Sequence, residues 1–209
     1  MQKKIFILSL LLLIFTGLFS QTEFKFKDGD FLFQTGKKSD FENAITSVTS
    51  DNKELNFSHV GVVCVENDSI FVLEAVPEYG VTKTSIENFI NASHITVVGR
   101  LISQYQSTIA PALIKIKSLI GKPYDFVFHN DNDAYYCSEL IQISFIKNDG
   151  TPVFETIPMT FKDKENNEIH TYWIEYYEKY NETIPEGEQG TNPTGISRSD
   201  SIEIIHIIQ

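Results

Sequence analysis

Cys137 and His59 are the residues of this chain best suited to covalent chemistry. A thiol attacks a carbonyl well only as the thiolate, so a nucleophilic cysteine needs a helix N-terminus, a neighbouring imidazole, or both. Cys137 stands where such a helix should begin. Tyr135-Tyr136 favours extended backbone, while Ser138-Glu139-Leu140-Ile141 opens an amphipathic run with an acid in its first turn. The dipole of that helix favours a thiolate, and its free N–H groups could hold an oxyanion. Taken alone, the same residues also describe a buried core thiol.

His59 lies in Phe57-Ser58-His59-Val60-Gly61-Val62-Val63, and an imidazole on an otherwise apolar strand needs a reason. Glu74, after Phe71-Val72-Leu73 on the next strand, supplies one. An even-numbered hairpin loop would put the two side chains on one sheet face, directly opposed or on a diagonal, where a carboxylate can orient an imidazole. An odd loop or a bulge would separate them. Cys64 is five residues from His59, so strand alternation puts it on the other face, as a core residue away from the site. A Cys64–Cys137 disulfide in a non-catalytic binding module is the competing use of the two thiols. His94, His129, His170 and His206 show no zinc-site spacing, and there is no Gly-rich phosphate loop or G-x-S-x-G elbow.

The elements that must position these residues are legible in outline. Phe31-Leu32-Phe33 after the Asp28-Gly29-Asp30 turn reads as a strand, and 39–49 as a helix with Phe41, Ala44, Ile45 and Val48 on one face and Ser39 or Asp40 as cap. Residues 57–65 and 70–76 read as a hairpin around Glu66-Asn67-Asp68-Ser69, and 95–101 as a further strand. A helix follows from Ile109 to Ile120 before Gly121, and another from Cys137 through Phe145 to Asp149-Gly150. Beyond it, Pro152, Pro158, Pro185 and Pro193 interrupt the pattern. Residues 172–180 suggest a helix, 186–200 a loop, and 201–209 a closing strand. Mixed helices and antiparallel strands without repeats or linkers argue for one α+β domain.

Lys3-Lys4 followed by the apolar run from Ile5 to Phe19 has the form of a cleaved signal peptide ending near Ser20. It is short for a membrane span, so the mature chain, residues 21–209, is expected to be exported, periplasmic or extracellular, with no stable span. The formal charge of -11, more negative once Lys3 and Lys4 are removed, repels a phosphate backbone and argues against nucleic acid as a partner.

Three stretches, Gly29-Asp30-Phe31-Leu32-Phe33, Phe57-Ser58-His59-Val60-Gly61-Val62 and Tyr135-Tyr136-Cys137-Ser138-Glu139-Leu140, together resemble the circularly permuted NlpC-like cysteine hydrolases of the YiiX type. Leu73-Glu74-Ala75 with Gly80-Val81, and Gly121-Lys122-Pro123-Tyr124-Asp125, lie between them in the family's order. The resemblance implies a permuted papain-like fold, an antiparallel sheet against helices, with the His-bearing strands ahead of the Cys helix. It implies a triad of Cys137, His59 and Glu74, with Tyr124 or Tyr136 as an added oxyanion donor, and no metal or organic cofactor. Asp30 and Asp125 are expected to hold turns rather than do chemistry. The implied activity is hydrolysis of amide bonds, with small amides, peptides or cell-wall fragments as substrates. A lipid acyltransferase or thioesterase with the same triad is the alternative, distinguished by an apolar tunnel beside Cys137.

Overall fold

The β-branched and aromatic runs pair into one six-stranded antiparallel sheet in the computed structural model, which describes residues 24–36, 40–49, 55–130, 132–163 and 166–209. Its strands are β1 (Phe31–Gln34), β2 (His59–Glu66), β3 (Ser69–Val76), β4 (Gly80–Ser85), β5 (Thr96–Leu101) and, closing the chain, the strand Ile202–Ile208. The spatial order runs β4, β3, β2, β1, β5 and then the closing strand, so β1 lies inside the sheet with all four residues buried. The expected signal peptide and the Ser39 cap fall outside the described residues.

Asn67 and Asp68 both adopt positive φ, 48° and 63°, and close a two-residue hairpin between β2 and β3. That even loop sets Val62 opposite Leu73 and Glu66 opposite Ser69. His59 and Glu74 therefore share a face on a diagonal, as an even loop predicts.

Each face of the sheet carries its own core. Among the described residues the first four α-helices are α1 (Asp40–Thr49), α2 (Ile86–Asn91), α3 (Ile109–Ser118) and α4 (Cys137–Ser144). On one face, Phe31, Phe33, Val60, Val62, Cys64 and Leu73 meet Ile116 of α3 and Leu140 and Ile141 of α4. On the other, Leu32, Val63, Val72 and Val98 meet Ile86 and Phe89 of a short helix, Ile86–Asn91. Fully burying one such side chain is worth about 1.5–3 kcal/mol, so the alternation of β1 and β2 is fixed from both sides. Two further helices, Asp40–Thr49 and Thr171–Tyr180, also contribute to the first core, the latter through Trp173 and Tyr177.

Three local expectations are revised. Helix α4 ends at Ser144 rather than near Asp149-Gly150. Phe145 turns to ψ 88°, its ring packs on Phe31 and Phe154, and its carbonyl accepts the Val153 N–H. Residues 186–200 are not simply loop: Gln189–Gly190 pairs with Ile157–Pro158, and Pro193–Ser197 is helical. Pro193 starts that helix instead of breaking it, because a first-turn N–H is not needed and the Asn192 side chain caps Gly195 N at 2.7 Å. Finally, β4 and Ile86–Asn91 form where the sequence carries no strong periodic signal.

Candidate active site

Tyr136 is the N-cap of α4, with extended backbone at φ -92° and ψ 166°. An aromatic N-cap carries no short hydroxyl or carboxylate of the kind with which Ser or Asp holds the first-turn N–H groups. Glu139, at N3, accepts the Tyr136 N–H at 3.3 Å and fixes the entry of the chain. Cys137 is the first residue of the helix, buried and unpaired, as is Cys64.

His59 opens β2, and its Nε2 lies 2.6 Å from Glu74 Oε2. The Cys137 thiol is the imidazole's other polar neighbour, close enough to act on its charge. Burial works against the charged imidazole, but the hydrogen bonds and charges of Cys137 and Glu74 outweigh it and push the His59 pKa up to about 10. Glu74 is itself buried and held from its far side by the Thr84 hydroxyl, which donates to Oε1. Below the imidazole the ring of Phe89 lies 5.7 Å away, and Gln34, opposite His59 on β1, donates to the Phe89 carbonyl at 2.6 Å. Gly61 makes this platform possible: a Cβ there would come within 2.5 Å of Val72 Cγ1 and 3.0 Å of the Phe89 ring.

Two cavities meet at this pair. One, of about 180 Å³, lies beside Cys137 with walls from Ile45, Val48, Phe128, Met159, Phe161 and Trp173. The other, of about 480 Å³, lies beside His59 and Glu74 and includes Gln34, Glu78, Thr84 and Asn88. Ile45, Ser58 and Tyr124 line both. Tyr124 is carried there by the 121–125 segment. That segment bonds Val81 through Gly121 N and Lys122 O, and Tyr135 through Pro123 O and Asp125 N. Gly80, at φ +65°, allows the close approach, since a Cβ would collide with the Lys122 carbonyl. Burial, with the Cys137 charge next, raises the Tyr124 pKa, so its phenol stays a donor.

Residues 25–206 match the permuted papain-like amidase enzymes of the YaeF/YiiX, C92 family. The chain belongs to that family. The uncharacterized protein YiiX of Escherichia coli strain K12 is 27% identical over 172 residues, covering 80% of this chain and 80% of that one. The crystal structure of the metalloprotein YiiX from Escherichia coli O157:H7, DUF1105, matches with a TM-score of 0.69 at 25% identity, over 86% of this chain and 96% of that one. The fold is therefore the permuted papain-like α+β fold that the motifs implied, and the chain is an enzyme of an amidase family.

Within this C92-family site, Cys137, His59, Glu74 and Tyr124 come together. The Tyr136 hydroxyl lies farther along the cavity and accepts the Thr191 N–H at 3.2 Å. Asp30 and Asp125 do hold turns. Asp30 accepts Lys27 N and both Nε and Nη2 of Arg100, while Asp125 accepts Val127 N. Cys64 does face away from His59, but that is the face on which α4 packs, so both thiols belong to one core. Sequence reasoning passed over Thr84, Phe89, Gln34 and Ser58. A strand reading of Thr82-Lys83-Thr84 after the Gly80 turn would have found Thr84. Among the described residues no group of three or more His, Cys, Asp or Glu side chains is arranged to hold a metal ion, and no helix is long and apolar enough to cross a membrane.

Proposed function

We propose that this chain is an exported cysteine amidase in which Cys137 is the nucleophile, His59 the proton carrier and Glu74 the group that orients it. The observation that carries the reading is the hydrogen-bonded series from His59 to Glu74 and Thr84, with the Cys137 thiol beside the imidazole at a helix N-terminus. Export rests on Lys3-Lys4 and the apolar run after them.

His59 Nδ1 takes the thiol proton, and the Cys137 thiolate attacks the amide carbonyl carbon. The oxyanion is met by the Cys137 N–H and the Tyr124 hydroxyl. The imidazolium then returns its proton to the leaving amine, the C–N bond breaks, and an acyl-enzyme thioester remains. Water, deprotonated by His59, hydrolyses the thioester and releases the carboxylic acid. Small peptides or cell-wall amides are the substrate class.

A second reading, hydrolysis or transfer of a lipid acyl chain by the same triad, is favoured by the apolar walls beside Cys137. Release of a fatty acid from a thioester, with no turnover of amides, would select it.

Iodoacetamide labelling as a function of pH, read peptide by peptide, tests the pair with Cys64 as internal control. Wild-type Cys137 is expected to label rapidly well below the ordinary thiol range of about 8.5, and His59→Ala to abolish that reactivity. A Cys137 that is inert, or indifferent to His59, would overturn the mechanism.

A further inference from the structure

A buried polar side chain without a partner costs about 1–3 kcal/mol, and such atoms in a native protein demand an explanation. Among the described residues, Ser58 Oγ, Ser138 Oγ and Trp173 Nε1 are buried with no hydrogen-bond partner, and all three residues line the cavity beside Cys137. Asp125 Oδ2 and Ser144 Oγ are also unpartnered, and neither residue lines it. Ser58 and Ser138 are 6% and 1% exposed and their hydroxyls are closed to a water-sized probe, so each must turn about its Cα–Cβ bond to meet a ligand in the cavity. Their backbones are fixed. Ser58 N donates to Gln34 O at 3.0 Å, and Ser138 occupies the second position of α4.

We propose that Ser58 and Ser138 are substrate-binding residues that select an acyl group carrying amide atoms next to its reacting carbonyl, as in an acylamino acid, over a plain alkyl chain. The inference rests on the cysteine amidase reading above and names the acyl side of its substrate. A hydroxyl both donates and accepts, whereas the indole N–H of Trp173 only donates and so requires an acceptor oxygen on the ligand. An alkyl chain satisfies none of these atoms. An N-acylaminoacyl group offers a carbonyl oxygen and an N–H close to the scissile bond, while its side chain meets the apolar walls. Ser58, common to both cavities, sits at the junction and Ser138 on the acyl side. A site built to hydrogen-bond its substrate rejects an analogue that lacks those atoms, because its own groups then stay unpaired.

The test uses two chloromethyl ketones of equal length, one built on N-acetyl-leucine and one on a plain alkyl chain, both alkylating Cys137 as its thiolate displaces chloride. Iodoacetamide, which has neither acyl group, reports the intrinsic reactivity of the thiol. The amide-bearing probe is expected to label wild-type Cys137 at least about tenfold faster than the alkyl probe, the scale of one hydrogen bond. Ser58→Ala and Ser138→Ala should each erase most of that ratio, with iodoacetamide rates unchanged and the melting temperature level or raised, since each removes an unpartnered buried hydroxyl. Ser144→Ala, in the same helix but away from the cavity, should leave the ratio intact. Equal rates for the two probes in the wild type, or a ratio that survives both serine variants, would overturn the assignment. The same preference is read without chemistry by calorimetry on Cys137→Ala protein, comparing N-acetyl-leucinamide with an alkyl amide of equal length. If Cys137 is inert to iodoacetamide the amidase mechanism falls, and the calorimetric ratio still decides the role of the serines.

Discussion

Cys64 and Cys137 are buried to similar depth, 1% and 6% exposed, in one core and on one side of the sheet, yet their surroundings ask different things of them. Cys64 is in the interior of β2. Burial pushes its thiol up, Lys117 pulls it back, and Lys117 is itself paired with Glu66 at 2.9 Å. The group that accepts from the Cys64 thiol is the Glu66 carboxylate, at 3.6 Å, not an imidazole. Cys137 stands at the start of α4 against an imidazole whose pKa is held up to about 10. Depth in the core does not separate a structural thiol from a nucleophile. What separates them is the helix end and a proton acceptor that a carboxylate keeps in place.

The largest effect should come from His59→Ala. With the acceptor gone, amide turnover is expected to fall by about 10²–10⁴, the range for a positioned acid–base group, and Cys137 should label like Cys64. Turnover within a few-fold of wild type would erase the difference between the two thiols. Next is Glu74→Gln, expected to cost about a hundredfold and to move the alkaline limb of the pH profile. His59 keeps its proton up to about pH 10 because Cys137 and Glu74 favour the charged form. The imidazolium that protonates the leaving amine is therefore lost as pH rises through that value. Removing one of its two supports must bring the loss to lower pH, and a pH series of kcat/KM in both proteins reads the shift. An unmoved limb would mean that Glu74 only packs.

How much of this was legible follows from how local each feature is. The start of α4 and the two-residue turn at Asn67-Asp68 are written in adjacent residues, so Cys137 and the His59–Glu74 diagonal were within reach. Parity along β2 separates Cys64 from His59, but parity does not say on which face the cysteine helix lands. The helix Ile86–Asn91, six residues long, is too short to show a 3.6-residue period, so Phe89 had no signal. The cavity beside Cys137 joins Ile45, Ser58, Tyr124, Trp173 and Thr191 from distant parts of the chain, and no spacing rule connects them. Pro193 misled for a simpler reason, since proline both ends helices and begins them.

Gly61→Ala probes the platform rather than the thiol. The added methyl meets Val72 and the Phe89 ring, and overpacking of this kind costs about 1–3 kcal/mol of stability. Displaced Phe89 should also tilt His59, so iodoacetamide labelling of Cys137 at neutral pH is expected to slow a few-fold while the Cys64 rate stays level. Equal loss at both cysteines would point to general loosening instead.

The smallest effect on catalysis, and the strictest control on the comparison, belongs to Cys64→Ala. Removing a buried sulfur leaves a small void, and large-to-small changes of this size cost about 1 kcal/mol or somewhat more. The Lys117–Glu66 pair, which also binds Lys83 at 2.7 Å, survives without the thiol. Melting temperature should therefore drop by a few degrees while kcat, KM and the labelling of Cys137 stay at wild-type values. Because Cys64 and α4 share a core, strain could in principle travel from β2 into the helix, and kcat is the quantity that would register it. A fall in kcat beyond the loss of folded protein would mean that the core under Cys64 helps to set the position of Cys137, and that the two thiols are not independent.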